Sequence, residues 1–513
     1  MELKRQIVRN VYAGGIQFVF NFAYGLVLPP YILHKIGVNN YSLWVLLTAV
    51  SGYVQFIEFG SSSSLVKHIA DSKSADRYDL VSGYLSSVFV LFVVGSIFAE
   101  MLAYYGINII GPYFFSNFGV LANLRNLVSG FVLISILMLF NGLFSCVLKA
   151  WQRVDIINAI AIIVSSLNIT LIFFFLNEGL EIKGILYSYL SSSSLGLVLT
   201  VLFSRKIVKG KLVLNIFEFD YRLVRDILRL GSSDQLIRVL GILWGPVNKT
   251  IIQNFAGPQY LVAYDLTMRV ISQVSSMPSM IFNPLLPAMA ELNAKNDRSR
   301  LWTLFKRSLN YIMLAGAPLV VLFFFFANPI IAIWLRGPND LVADTIRVLI
   351  LSTFINILTG PLYMGTLAFG KPALGIIKTI VTFLTNVGLL VIALSLHLGY
   401  YGVVAAEFIG VLTGAIYFLV KFDKSYGESV VYHILKGGLR IFGLALASGF
   451  CVFLIPHVWT GFLPVYKFPS LSALCFLYFG CVGGGYYLLG YVGKYEYDLV
   501  KGAIFRSRAQ AAL

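Results

Sequence analysis

Apolar runs long enough to cross a bilayer recur along the whole chain, and few folds can accommodate such a pattern. They fall at 8–33, 41–66, 80–106, 126–148, 154–177, 184–204, 228–252, 260–289, 309–335, 344–368, 373–397, 402–420, 439–461 and 469–492. A hydrocarbon core needs about 20 apolar residues per helical crossing, so the pattern predicts about fourteen transmembrane helices. Composition agrees: 58% of the 513 residues are hydrophobic, 12% are charged, and the mean hydropathy is +0.82. A soluble domain of this size cannot hide that much apolar surface. The expected fold is an all-α membrane protein whose short connections leave no room for a separate globular domain. The start, MELKRQIVRN, is basic, and the apolar segment behind it ends in Leu28-Pro29-Pro30 with no small-residue cleavage site. It reads as a retained first helix.

Charge fixes the expected orientation. With the N-terminus cytoplasmic, about 30 of the 39 Lys and Arg residues fall in cytoplasmic loops. These include Arg205 and Lys206, Lys295 to Arg307, and Lys371 with Lys378. Lys35, Arg125, Lys183, Arg336 and Lys467 fall outside, and Arg238, Lys249, Arg269 and Arg347 within helices. Positive loops stay on the cytoplasmic side, so both termini are expected there, in a bacterial inner membrane. The same bias accounts for the formal net charge of +16 without a nucleic-acid partner.

An internal repeat emerges at an offset of 218–219 residues. Residues 32–41 resemble 251–260; Gly142 pairs with Gly360, Asn168 with Asn386, Gly184 with Gly402 and Gly196 with Gly414. Two parallel six-helix repeats follow, at 1–210 and 211–425, with two additional helices and a tail at 426–513. Parallel repeats of this kind enclose a central pathway.

Ionisable groups inside spans are costly, by about 3 kcal/mol each, and normally face a cavity or a partner. Helix seven carries Asp234, Arg238 and Lys249 at helical steps, and helix eight carries Asp265 and Arg269 in a polar stripe. Helix two carries Gln55 and Glu58 between Ser51 and Ser62; helix one offers Gln17, Asn21 and Tyr24. These are the first helix pairs of the two repeats, which points to one shared polar chamber. Arg269, Arg238 and Lys249, with Gln55 and Asn21, are the candidate substrate ligands, since such cations suit pyrophosphate oxygens. Glu58, Asp265 and Asp234 are the candidates for ion coupling. The blander alternatives are intrahelical ion pairs for Asp234–Arg238 and Asp265–Arg269, and a snorkelling Lys249.

Other features carry less. The serine runs 61–64 and 191–194 suit close helix packing, and the prolines at 29, 30, 278, 284, 287 and 361 should break or bend helices. No Walker lysine follows Gly483-Gly484-Gly485, the five histidines are scattered singly, and Cys146, Cys451, Cys475 and Cys481 form no CxxC pair. No cofactor, metal or catalytic group is expected.

The segments Leu28-Pro29-Pro30, Tyr41-Ser42-Leu43-Trp44 and Ile57-Glu58-Phe59-Gly60 resemble the opening of Wzx-type polysaccharide flippases. The departures are Ser42 for Gly and Glu58 for Asp. That family belongs to the multidrug/oligosaccharidyl-lipid/polysaccharide exporter superfamily. The resemblance implies an undecaprenyl-diphosphate-linked oligosaccharide as substrate, moved to the periplasmic leaflet by alternating access. A proton or sodium gradient would drive it, and polysaccharide polymerase machinery would be a partner. It also implies a lipid-tail groove in the last two helices. The arginine-rich first helix of the lipid II branch is absent between Gly14 and Pro30. The alternatives are a cation-coupled multidrug exporter, which would favour acidic and aromatic cavity groups, and a membrane enzyme, which would need convergent acid and base groups.

Overall fold

The computed structural model describes residues 2–58, 61–115, 121–208, 219–276, 285–427, 429–458 and 468–491, with the side chains of 229–239 and a few other helix positions not covered. The helices are α1 (Glu2–Ser51), α2 (Ser61–Ser74), α3 (Tyr78–Phe114), α4 (Leu121–Ala150), α5 (Val154–Asn177) and α6 (Glu181–Ile207). They continue as α7 (Tyr221–Phe255), α8 (Pro258–Ser276), α9 (Leu285–Ala294), α10 (Arg298–Trp334), α11 (Asp340–Leu358) and α12 (Gly360–Ala368). The last four are α13 (Ala373–Ser395), α14 (Gly399–Tyr426), α15 (Val430–Val458) and α16 (Phe468–Leu488). Among the described residues, eleven helices are long and apolar enough to cross a membrane. The first of these, Tyr12–Ser74, takes in two of the expected apolar runs. α8 is not among the eleven, because Asp265, Arg269 and the polar residues around them interrupt its apolar sequence.

Sequence and structure part company at two places. Pro29 and Pro30 are buried within a continuous helix, and α1 breaks instead at Gly37, whose φ of 75° is open to glycine at little cost. The expected helix over 41–66 ends at Ser51 and passes into a 3₁₀ segment, Gly52–Glu58. Gln55 and Glu58 therefore lie on a tighter spiral, and a 3.6-residue face does not apply to them. Pro361 stands, as expected of a helix breaker, at the Thr359 break between α11 and α12, in the first turn of α12 where its missing N–H is not needed, and Pro287 stands in the first turn of α9. Pro278 and Pro284 lie outside the described residues.

Met1–Gln273 with Val387–Ala406 make one compact unit. Within it α1 packs along α4, α5, α6 and α7. The contacts near its N-terminal end are polar: Asp155, in the first turn of α5, takes Arg9 at 2.9 Å and Arg153 at 3.0 Å. A carboxylate is favoured there by the helix dipole. Deeper in, the Tyr24 hydroxyl donates to Asn168 Oδ1 (2.8 Å), and Asn168 Nδ2 donates to Ser192 Oγ (3.0 Å). Tyr189 Oη lies 3.2 Å from Tyr24 Oη.

Val274–Asn386 with Glu407–Leu513 make the other unit. Here α10 is the spine, packed by α11, α15 and α16 around Ile312, Val321, Ile350, Ile441 and Tyr478. Pro329 cannot donate to the carbonyl four residues back, and the helix deviates beside it at Phe326. Tyr478 Oη donates to Pro318 O at 3.0 Å, which ties α16 to the spine. Where α14 meets α13, Gly410 and Gly414 leave no room for a β-carbon beside Asn386 and Thr382.

Candidate functional site

Two glycine-dependent turns assemble a charged cluster in the first unit. Gly257 (φ 103°) reverses the chain between α7 and α8, and Pro258 opens α8 with its fixed φ. Lys249 lies seven residues before Ala256 and Asp265 eight after Gly257, so both stand about 11 Å from the turn and face each other across the hairpin. Lys249 Nζ meets Asp265 Oδ1 at 2.9 Å. Arg269, one helical turn beyond Asp265, brings Nε to Oδ2 at 2.7 Å. From α1, just past the Gly37 break, the Tyr41 hydroxyl donates to the same Oδ2 at 3.1 Å. Trp44 lies under the arginine, its ring centre 5.0 Å from the guanidinium carbon, and packs edge-on to Tyr41. Beside the cluster, Asn248 is fully buried and donates to Tyr264 Oη at 3.3 Å.

The charge balance decides what the cluster can do. One carboxylate serves two cations, so the group keeps a net positive charge. Asp265 is the enclosed member, with its side chain 4% exposed; Arg269 and Lys249 are 29% and 21% exposed. Both cations are therefore partly exposed, while the enclosed carboxylate orients them. Guanidinium and ammonium groups held this way offer donors to a multivalent oxyanion.

The residues singled out from sequence divide. Lys249, Asp265 and Arg269 come together. The i,i+4 pairing of Asp265 with Arg269 is present, but it is shared with a second helix. Asn21 and Gln55 are exposed and Glu58 partly so; none makes a hydrogen bond or ion pair among the described residues. Asp234 and Arg238 lie outside the described residues. Tyr41 and Trp44 entered the sequence reading only through a family motif, and their part in holding the ion cluster was missed. An aromatic pair three residues apart, opening a span beside a glycine, is the signal that could have drawn attention to them. Among the described residues no three His, Cys, Asp or Glu side chains gather where a metal could bind.

Solved structures share this architecture. An inward-facing MATE family transporter of the MOP superfamily aligns with a TM-score of 0.65 at 15% identity, over 83% of this chain and 100% of its own. The lipid II flippase MurJ, in an inward closed conformation, aligns with a TM-score of 0.69 at 14% identity, over 94% and 99%. The fold is the one these MOP-superfamily transporters share, and the eleven long apolar helices among the described residues make the chain a multi-pass membrane protein. It belongs to the polysaccharide biosynthesis protein family, whose model matches residues 37–337. Two relatives carry the name "Putative O-antigen transporter". The Salmonella typhi protein is 22% identical over 277 residues, 53% of this chain and 62% of its own length. The Shigella flexneri protein is 20% identical over 355 residues, 66% of this chain and 80% of its own. The match thus spans less than two thirds of the Salmonella protein.

Proposed function

We propose that this protein is a flippase for an undecaprenyl-diphosphate-linked oligosaccharide, which it carries from the cytoplasmic to the periplasmic leaflet of the inner membrane by ion-coupled alternating access. The observation that carries the reading is the Lys249–Asp265–Arg269 cluster, two partly exposed cations around one enclosed carboxylate. A diphosphate headgroup would take both cations, Arg269 in a fork and Lys249 as a point charge. The prenyl tail would stay in lipid. The family match and the O-antigen relatives support a glycan substrate.

Fourteen crossings arranged as two six-helix repeats with an appended pair complete the picture. Helix bounds support the repeat: α5 and α6 (Val154–Asn177, Glu181–Ile207) recur as α13 and α14 (Ala373–Ser395, Gly399–Tyr426) at the offset of 218. Contacts recur as well. Gly196 lies against Val164, as Gly414 does against Thr382; Asn168 meets Ser192, as Asn386 meets Gly410. On this division the cluster joins the first repeat, through Tyr41 and Trp44, to the second. Arg238, Gln55 and Asn21 extend the proposed substrate contacts, and Glu58 and Asp234 remain, with Asp265, the proposed coupling carboxylates.

Transfer of a fluorescent undecaprenyl-diphosphate-linked sugar across proteoliposomes tests the reading. Wild type is expected to transfer it and Arg269→Ala to lose transfer. Equal transfer by the variant removes Arg269 from the mechanism. A wild type that moves lipophilic cationic drugs and not the lipid assigns the protein to multidrug export.

A further inference from the structure

Lys378 belongs to the second unit and lies within the span Ala373–Ser395, about 8 Å along α13 from its start. Charge sorting alone assigned it to a cytoplasmic loop; the structure turns it inward. Its Nζ donates to Thr359 Oγ1 at 2.5 Å and stands 5.6 Å over the Phe418 ring. Thr359 gives its own hydroxyl hydrogen to Asn356 O at 2.6 Å, so the lysine must be the donor. Thr359 occupies the break between α11 and α12. No carboxylate pairs with Lys378 among the described residues.

The ionisable groups on the elements packed against α13 are otherwise placed. Tyr363 of α12 lies against Gly375. On α14, Lys421 lies over Tyr417 at 5.9 Å, and Tyr426 lies under Lys371 at 6.0 Å. Asp423 accepts the backbone amides of Val430 and Val431 at 2.9 and 3.0 Å. Lys424 is exposed, and Glu407 stands eleven residues, about 16 Å, along the helix from Phe418. At the offset of 218 the first repeat has Ile160, 5% exposed, in the place of Lys378. The charge is therefore an addition to one half only, and packing at the equivalent position does without it.

An ammonium whose neighbours are one hydroxyl and one ring is expensive within a span. The neutral amine keeps the bond to Thr359 without that cost, and lysine, unlike arginine, can shed its proton. We infer that Lys378 is a proton-operated latch: uncharged, its amine fastens α13 to Thr359 at the α11–α12 break, and on taking a proton from adjoining water it draws water in and releases α13. The use of the latch, as a coupling-proton site, rests on the transport reading; the latch itself needs no substrate.

Hydrogen exchange in lipid nanodiscs, from about pH 10 to about pH 6 and corrected for the intrinsic rate, tests it. If opening is linked to one proton, exchange at 373–382 relative to 154–163 should rise by up to about tenfold per pH unit as pH falls. Lys378→Met and Lys378→Gln should be slow at every pH, and Lys378→Arg fast at every pH. A flat wild-type profile, or a pH-dependent one in either neutral variant, overturns the latch and leaves the transport reading untouched. Absent lipid transfer by wild type overturns transport and leaves the exchange result standing.

Discussion

Asp265 answers two cations and a phenol with two oxygens, and it is the residue on which the site's order depends. Replacing it with alanine leaves Lys249 and Arg269 facing each other without a counter-ion. Removing one partner of a buried ionic group costs about 3–5 kcal/mol, and the partial exposure of both cations argues for the lower end. Asp265→Ala should therefore lower the melting temperature in detergent, whereas Tyr41→Phe, which deletes one hydrogen bond to a charged group, should cost about 2 kcal/mol. Equal melting curves for wild type and Asp265→Ala would contradict this account. Trp44→Leu removes a cation–π contact of about 1 kcal/mol and the packing of a fully buried indole, so it should lower the melting temperature as well as weaken substrate transfer. Part of this site was legible in the sequence. Asp265 and Arg269 are one helical turn apart, and charges inside apolar runs stand out whatever the fold. The part played by Tyr41 was not legible, because a tyrosine at the start of a span is more often an interfacial anchor, and only the turn at Gly37 aims it at α8.

Helices α13 and α14 meet through glycine, and the spacing Gly410-Val411-Leu412-Thr413-Gly414 is the small-xxx-small pattern that lets membrane helices touch backbone to backbone. A larger residue at either glycine must push Asn386 or Thr382 aside. Gly410→Leu and Gly414→Leu are expected to cost about 1–3 kcal/mol each by overpacking, read as reduced yield of folded protein and a lower melting temperature. Gly388→Leu, where no neighbour lies within 4 Å of an added β-carbon, should be close to neutral. Elements such as these were readable wherever hydrophobicity alone decides them. The 3₁₀ segment at 52–58 was not, because its residues keep a helix-like spacing of polar groups. The continuity of α1 through Pro29-Pro30 was hidden for a different reason: burial of both prolines against neighbouring helices outweighs the local preference to break.

For the molecule as a whole, the distribution of lysine and arginine predicts which loops face the cytoplasm. In a background with Cys146, Cys451, Cys475 and Cys481 replaced by serine, Lys295→Cys should react with a membrane-impermeant thiol reagent only after the cells are opened. Lys183→Cys should react in intact spheroplasts. The reverse pattern would invert the topology. Fourteen apolar runs could be read along the chain, yet α8 falls short of the apolarity of the other spans because Asp265, Arg269 and a stripe of polar residues interrupt it. The helix that most weakens a hydropathy argument is thus one that holds the cluster.

Binding of undecaprenyl diphosphate compared with undecaprenol, in nanodiscs of neutral lipid, tests the central claim most directly. Wild type should prefer the diphosphate, and in the doubly substituted Lys249→Met, Arg269→Met protein that preference should fall by at least about tenfold, since a hydrogen bond to a charged group contributes about 1.5–3 kcal/mol. An undiminished preference in the variant would mean that the diphosphate is held elsewhere, and the account of this site would be wrong.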